Sequence, residues 1–260
     1  MTAFPSEPLH YTLEGPDHAP VLVLSNSLGT SLSMWQRQAE ALRSTWRVLR
    51  YDTRGHGASA VTGLAADAAF SLDRLGQDVI DLLDRLQIER AHFCGISMGG
   101  ITGLWLGVHA PQRLLSLTVA NSAARIGNAE TWNARAQQVT QHGMAALAAG
   151  APARWFTPDF CARAPDLVKA MTDALAASSA NGYAACCRAL AEADLRQQID
   201  GITLPTLLIA GAHDPVTTVD DARFMHARIA GAHYVEVPAS HLSNIEAAAP
   251  FTAALAAFLG

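Results

Sequence analysis

Charge, aromatic residues and cysteine are all scarce in this 260-residue chain. Charged residues make up 16% of it and aromatics 7%, and the net charge is −5. No cluster of five or more basic residues is present, so neither nucleic acid nor an anionic membrane is expected as a partner. No run approaches the ~18 uninterrupted apolar residues of a membrane span. Residues 1–9 contain prolines and a glutamate but no basic segment followed by an apolar one, so no secretory signal is expected. The four cysteines are Cys94, Cys161, Cys186 and Cys187. One falls in an apolar run and two are adjacent, a poor layout for a disulfide framework. A reduced, cytoplasmic protein is the expectation. The histidines lack metal-ligand spacing such as H-E-x-x-H, no G-x-G-x-x-G follows the first strand, and there is no P-loop. Neither a metal nor another cofactor is expected.

What the chain has in quantity is apolar residues, half of the total, enough for a substantial buried core. Its length fits one large domain, or a domain carrying an inserted subdomain. Residues 21–24, 115–120 and 205–210 are strand-like runs, and the first is continuously apolar, the mark of a strand buried on both faces. Further strands are expected at residues 11–13, 46–51, 91–96 and 233–237. After a candidate N-cap at Ser71, Leu72, Leu75, Val79, Leu82, Leu83 and Leu86 recur at helical spacing. Helices are also expected over residues 34–42, 220–229 and 245–259. From residue 125 to 200 the pattern is alanine-rich and helical, with no convincing strand. Alternating strands and helices predict an α/β fold, with a mostly parallel sheet and helices on both faces. Residues 1–124 and 201–260 would form its core, and residues 125–200 a helical cap inserted between strands.

The run Ala91-His92-Phe93-Cys94-Gly95-Ile96-Ser97-Met98-Gly99-Gly100 is the focus of the chain. It reads as a strand that stops, places a serine between two glycines, and opens into a helix. A serine on so tight a turn is driven toward an unfavourable backbone conformation that exposes its hydroxyl above the sheet, and both flanks must be bare. The helix that follows aims free N–H groups and a positive dipole end at the same spot. By composition alone G-x-S-x-G turns up in about one chain in ten of this length, so its placement carries the argument.

A serine hydroxyl needs a base, and the base needs a partner to fix its tautomer. In this topology the acid and then the histidine should follow the serine, each just past a strand. Asp214 follows the strand that ends near Gly211, and His241 follows Val237 in Pro238-Ala239-Ser240-His241. Asp78 and Asp84 are alternative acids, but both fit the exposed face of a helix better. The candidate oxyanion hole is the backbone N–H of Met98, after the nucleophile, with that of Leu28 in the loop after the strand at 21–24. Asp52, Arg54 and His56 are expected to serve a turn and ion pairs.

With these residues in place, the chain resembles an α/β-hydrolase along nearly its whole length. Asp52-x-Arg54-Gly55-His56-Gly57-x-Ser59 and His241-x4-Glu246-x3-Pro250 are both familiar in that superfamily, whereas its usual His-Gly in the first oxyanion loop is Asn26-Ser27 here. More narrowly, Asn26-Ser27-Leu28-Gly29-Thr30, the elbow, and Asn121-Ser122-Ala123-Ala124-Arg125-Ile126-Gly127 with Trp132 resemble 3-oxoadipate enol-lactonases. That resemblance implies a cofactor-free opening of a small anionic enol-lactone in aromatic catabolism, through Ser97, His241 and Asp214. The substrate carboxylate would need a cation. Arg125, where the cap begins, is the first candidate, with Arg135 and Arg154 as alternatives and Trp132 and Trp155 as pocket walls. A carboxylesterase, a carbon–carbon bond hydrolase of ring-cleavage products, a cofactor-free perhydrolase and a ligand-sensing receptor on the same scaffold are the competing readings.

Overall fold

A computed structural model describes residues 8–59 and 61–260. Seven strands form one sheet: β1 (Tyr11–Glu14), β2 (Val21–Ser25), β3 (Arg47–Tyr51), β4 (Ala91–Ile96), β5 (Leu114–Ala120), β6 (Thr206–Gly211) and β7 (His233–Val237). Their order is β1-β3-β2-β4-β5-β6-β7. β1 runs antiparallel to β3, and the other neighbours are parallel. Every residue of β2 and β6 is buried, as apolar strands covered by helices on both faces must be.

Helices α1 (Gln36–Leu42), α2 (Leu72–Arg85) and α3 (Met98–His109) lie among the first strands. The span between β5 and β6 holds α4 (Ala129–His142), α5 (Ala145–Ala149), α6 (Pro152–Trp155), α7 (Pro158–Arg163), α8 (Pro165–Ala176) and α9 (Ala180–Glu192). Beyond β6 come α10 (Val219–Arg228), α11 (Ser243–Glu246) and α12 (Ala248–Leu259). α2 starts where its cap predicts, with the Ser71 hydroxyl accepting the Arg74 N–H at 3.1 Å. Its apolar face packs against α3.

Three expectations are corrected. The first helix opens with a 3-10 turn at Leu32–Trp35 before α1 begins. The closing helix is two helices, broken at Ala247 (φ −114°, ψ 50°). Pro250 has no N–H to offer the carbonyl of Glu246, which instead accepts from Arg163 at 3.4 Å. Asp78 is buried, not on an exposed face. Arg54 reaches it with two parallel bonds of 2.7 Å and 2.5 Å, and Arg74 joins from the preceding turn of α2. Buried bidentate pairing is what lets two such charges leave water.

The helical insert packs α4 along α9. Where α9 begins, it meets the core backbone to backbone. A Cβ on Gly182 would lie 2.2 Å from the carbonyl oxygen of Gly55, so only glycine allows this approach. Asp52 holds the neighbouring turn by accepting the N–H groups of Leu32 and Ala58 at 2.7 Å and 2.9 Å.

Candidate active site

Ser97 closes β4 with φ 56° and ψ −115°, a left-handed conformation that a side-chain-bearing residue adopts only at a cost. Its flanks leave no room for anything but hydrogen. A Cβ on Gly95 would sit 2.2 Å from the Gly99 carbonyl oxygen, and one on Gly99 2.3 Å from that of Ser25. The turn is pinned by the Ser97 N–H to Ala120 O at 3.1 Å and by the Gly99 N–H to Asn26 O at 3.0 Å. Among the described residues the N–H groups of Leu28 and Met98 donate to no acceptor, which leaves both free for an oxygen bound from outside.

Asp214 lies past β6 and His241 past β7, and the sheet brings them together. The His241 Nδ1–H donates to Asp214 Oδ2 at 2.8 Å, both side chains being shut off from solvent. An ionised carboxylate only accepts, so this bond fixes the proton on Nδ1 and leaves Nε2 with a free lone pair. Burial alone would push the Asp214 carboxyl up. The His241 imidazole, with hydrogen bonds from Asn121 and Val216, outweighs that and holds it below the ordinary carboxylate range. Ser97 and His241 line one small cavity of about 30 Å³ together with Leu28.

The same cavity is walled by Trp132 and Arg135 from α4 and by Arg154 and Trp155 from α6. The Arg135 guanidinium lies 4.7 Å from the centre of the Trp132 ring, and Arg154 donates to the Leu147 carbonyl at 2.9 Å. Among the described residues neither arginine has an ion-pair partner. Burial, then the neighbouring Arg135 charge, lowers the pKa of Arg154, the signature of a cation without an anion.

A family model for the alpha/beta hydrolase fold matches residues 20–248. The chain belongs to the α/β-hydrolase family. Two curated relatives of this hydrolase come from Acinetobacter baylyi. One, 3-oxoadipate enol-lactonase 2, is 49% identical over 96% of this chain and 92% of its own. The other, 3-oxoadipate enol-lactonase 1, is 50% identical over 92% of this chain and 88% of its own. Among solved structures, an enol-lactonase from Burkholderia xenovorans superposes with a TM-score of 0.92 at 46% identity, covering 96% of each chain.

The hydrolase does not bring Arg125 to the cavity. Its guanidinium pairs with Asp194 at 3.4 Å at a partly exposed site, and Arg125 is not among the residues that line the cavity. The cations that face Ser97 are those expected second, Arg135 and Arg154. Sequence reasoning placed Asn121 in a motif without giving it a role and missed Thr217; both donate to Asp214 Oδ2, at 2.9 Å and 2.8 Å. It also missed Leu175 and Tyr183, which close the cavity from the insert. The position of Asn121 at the carboxyl end of β5, where α/β sheets gather their functional groups, was the available signal. Beyond Trp155 lies a second cavity of about 1000 Å³, between α8 and the loops that carry Thr30 and His56.

Proposed function

We propose that this hydrolase opens the ring of 3-oxoadipate enol-lactone to 3-oxoadipate in the breakdown of aromatic compounds. The observation that carries the reading is a pair of arginines without counter-anion lining the cavity of Ser97 and His241, in a chain half identical to two enol-lactonases. A lactone bearing a free carboxylate supplies the missing anion. Residues 125–200 act as the cap that selects the substrate, since both arginines stand on it.

In this reading the Ser97 oxygen attacks the lactone carbonyl while its proton passes to His241 Nε2, and Asp214 stabilises the imidazolium. The carbonyl oxygen becomes an oxyanion that accepts the Leu28 and Met98 N–H groups. Collapse breaks the ring C–O bond. The enol oxygen leaves more readily than an alkoxide because its negative charge is delocalised onto carbon; it takes the proton back from His241, and the released enol then ketonises. His241 then removes a proton from water as it attacks the acyl-serine. Collapse breaks the acyl–oxygen bond, the Ser97 oxygen takes that proton back from His241, and the acid product leaves and ionises to the carboxylate. The relatives support the substrate, and the His241–Asp214 bond supports the order of proton transfers.

The test is steady-state hydrolysis of 3-oxoadipate enol-lactone beside p-nitrophenyl acetate. We expect kcat/KM for the lactone at or above about 10⁵ M⁻¹s⁻¹, far above the ester. Ser97→Ala should abolish turnover of both while the protein stays folded. Turnover of the ester alone would remove the lactone and leave a serine esterase. Full activity in Ser97→Ala would sink the mechanism.

A further inference from the structure

We propose that Asn121 is a positioning residue that sets the relative places of Asp214, His241 and Ser97; the inference rests on the reading of those three as a catalytic triad. β5 ends at Ala120, and the next two residues reach all three segments. Asn121 sits at φ 41°, a left-handed conformation that asparagine tolerates better than most residues. Its amide is buried and divided between two tasks. Nδ2 donates to Asp214 Oδ2 at 2.9 Å and to the Ser240 carbonyl, next to His241, at 3.1 Å. Its Oδ1 accepts the hydroxyl of Ser243 at the start of α11. The following residue, Ser122, donates its hydroxyl to the Ser97 carbonyl at 2.7 Å, and Ala120 O holds the Ser97 N–H.

The oxygen that Asn121 touches is the one that receives the imidazole. Asp214 Oδ2 accepts from His241, Thr217 and Asn121, while Oδ1 accepts the N–H groups of Val216 and Thr217 at 2.7 Å and 3.1 Å. The carboxylate therefore cannot rotate, and its charge is shared among donors. Two separable effects follow from removing the amide. Orientation is lost, which lowers the rate. More negative charge remains on Oδ2 for the Nδ1–H of His241, which favours the protonated imidazole and moves the acidic limb of the rate profile to higher pH. A role confined to stability would lower the folded fraction and leave that limb in place.

Among the described residues, the other charged or titratable groups facing this cluster are Arg135 on α4, Arg154 on α6 and Tyr183 on α9, across the cavity, and Glu246 on α11, whose carboxylate accepts the Ser240 N–H at 2.8 Å. All are unchanged in the variants, so a shift in the limb reports on position 121. Asn121→Asp keeps the shape but exchanges a donor for an anion beside Asp214. Asn121→Gly removes the side chain without straining a left-handed backbone.

The measurement is kcat and kcat/KM against pH for the enol-lactone, with the folded fraction followed by thermal melts. Both variants should lose about ten- to a hundredfold in kcat, the rate equivalent of one charge-assisted hydrogen bond. The acidic limb should rise in both, by about one pH unit in Asn121→Asp and less in Asn121→Gly. Should Asn121→Asp fail to fold, the direction of the limb in Asn121→Gly decides alone. An unchanged limb, or a loss of rate matched by loss of folded protein, overturns the inference. Ser97→Ala and His241→Ala separate the two readings. If they are fully active, the triad falls and this inference with it. If they are dead while the Asn121 variants match the wild type, only this inference falls.

Discussion

Arg54 in the core is fully buried and Arg154 in the insert half-buried, and their surroundings differ in kind. Arg54 has its partner inside the fold, the two oxygens of the buried Asp78. Arg154 has a carbonyl and a second arginine nearby, and no carboxylate among the described residues. A buried cation that the fold itself neutralises belongs to the architecture. One left without a counter-charge in a cavity beside a serine and a histidine can take it from a bound anion, as the proposed substrate would supply. The same residue type thus does two jobs, and what separates them is whether the counter-charge is encoded in the chain.

The largest expected effect comes from breaking the core side of this contrast. Arg54→Ala strands the Asp78 carboxylate with Arg74 alone, and about 3–5 kcal/mol of stability should be lost, a fall in Tm of about 10 °C. The surviving folded enzyme should keep its preference between anionic and neutral substrates. A Tm within about 2 °C of wild type would mean that the pair contributes nothing.

The insert side should respond in the opposite way. Arg154→Ala is expected to leave Tm nearly unchanged and to lower kcat/KM for the anionic lactone by about ten- to a hundredfold, with p-nitrophenyl acetate hardly affected. Arg125→Ala serves as the control, because a partly exposed pair such as Arg125–Asp194 contributes about 0–1 kcal/mol and lies outside the cavity. Equal losses on both substrates, or a larger loss at Arg125, would erase the distinction between the arginines.

The smallest effect concerns a cation that the core refuses. His56 is fully enclosed next to Arg54. Burial lowers its pKa, and the Arg54 carbonyl and Asp52 only partly offset that. The folded state therefore binds a proton on His56 less readily than the unfolded chain, whose histidine titrates near about pH 6.5. Stability is full above that value and declines as pH falls below it. His92, half-buried and shifted the same way, adds to the decline. Thermal melts across this range should show a shallower fall for His56→Gln than for wild type. Identical slopes would mean that the core tolerates the extra charge.

The parts of the molecule legible in sequence are those governed by neighbours along the chain. The bare glycines around Ser97 dictate its left-handed turn, and the strand ends before Asp214 and His241 set where they emerge. Side-chain direction in the insert is another matter. Arg125, Arg135 and Arg154 are equivalent as text, and only the packing of α4 and α6 turns two of them toward Ser97. Asp78 illustrates the same limit. Helical spacing alone favours solvent for it, while Arg54, 24 residues earlier, draws it inward. The break at Ala247 was open to sequence reasoning, since Pro250 announces a missing donor. The double engagement of Asn121 was not, because it depends on where two distant loops place a carboxylate and a carbonyl.

Ser97, His241 and Asp214, the proposed nucleophile, base and acid, all follow strands of one sheet, whereas Arg135 and Arg154, the proposed partners of the substrate carboxylate, ride on helices between β5 and β6. In the proposed function that division separates what reacts from what chooses. Substitutions in the insert can change which molecule is admitted without disturbing the hydrogen bonds that hold His241, so such a chain can drift from one ester or lactone to another by small steps. The Gly55–Gly182 contact sets a boundary on that drift. With no side chain on either partner, the insert's seat on the sheet has no atoms to vary, and new specificities have to arise around a fixed point.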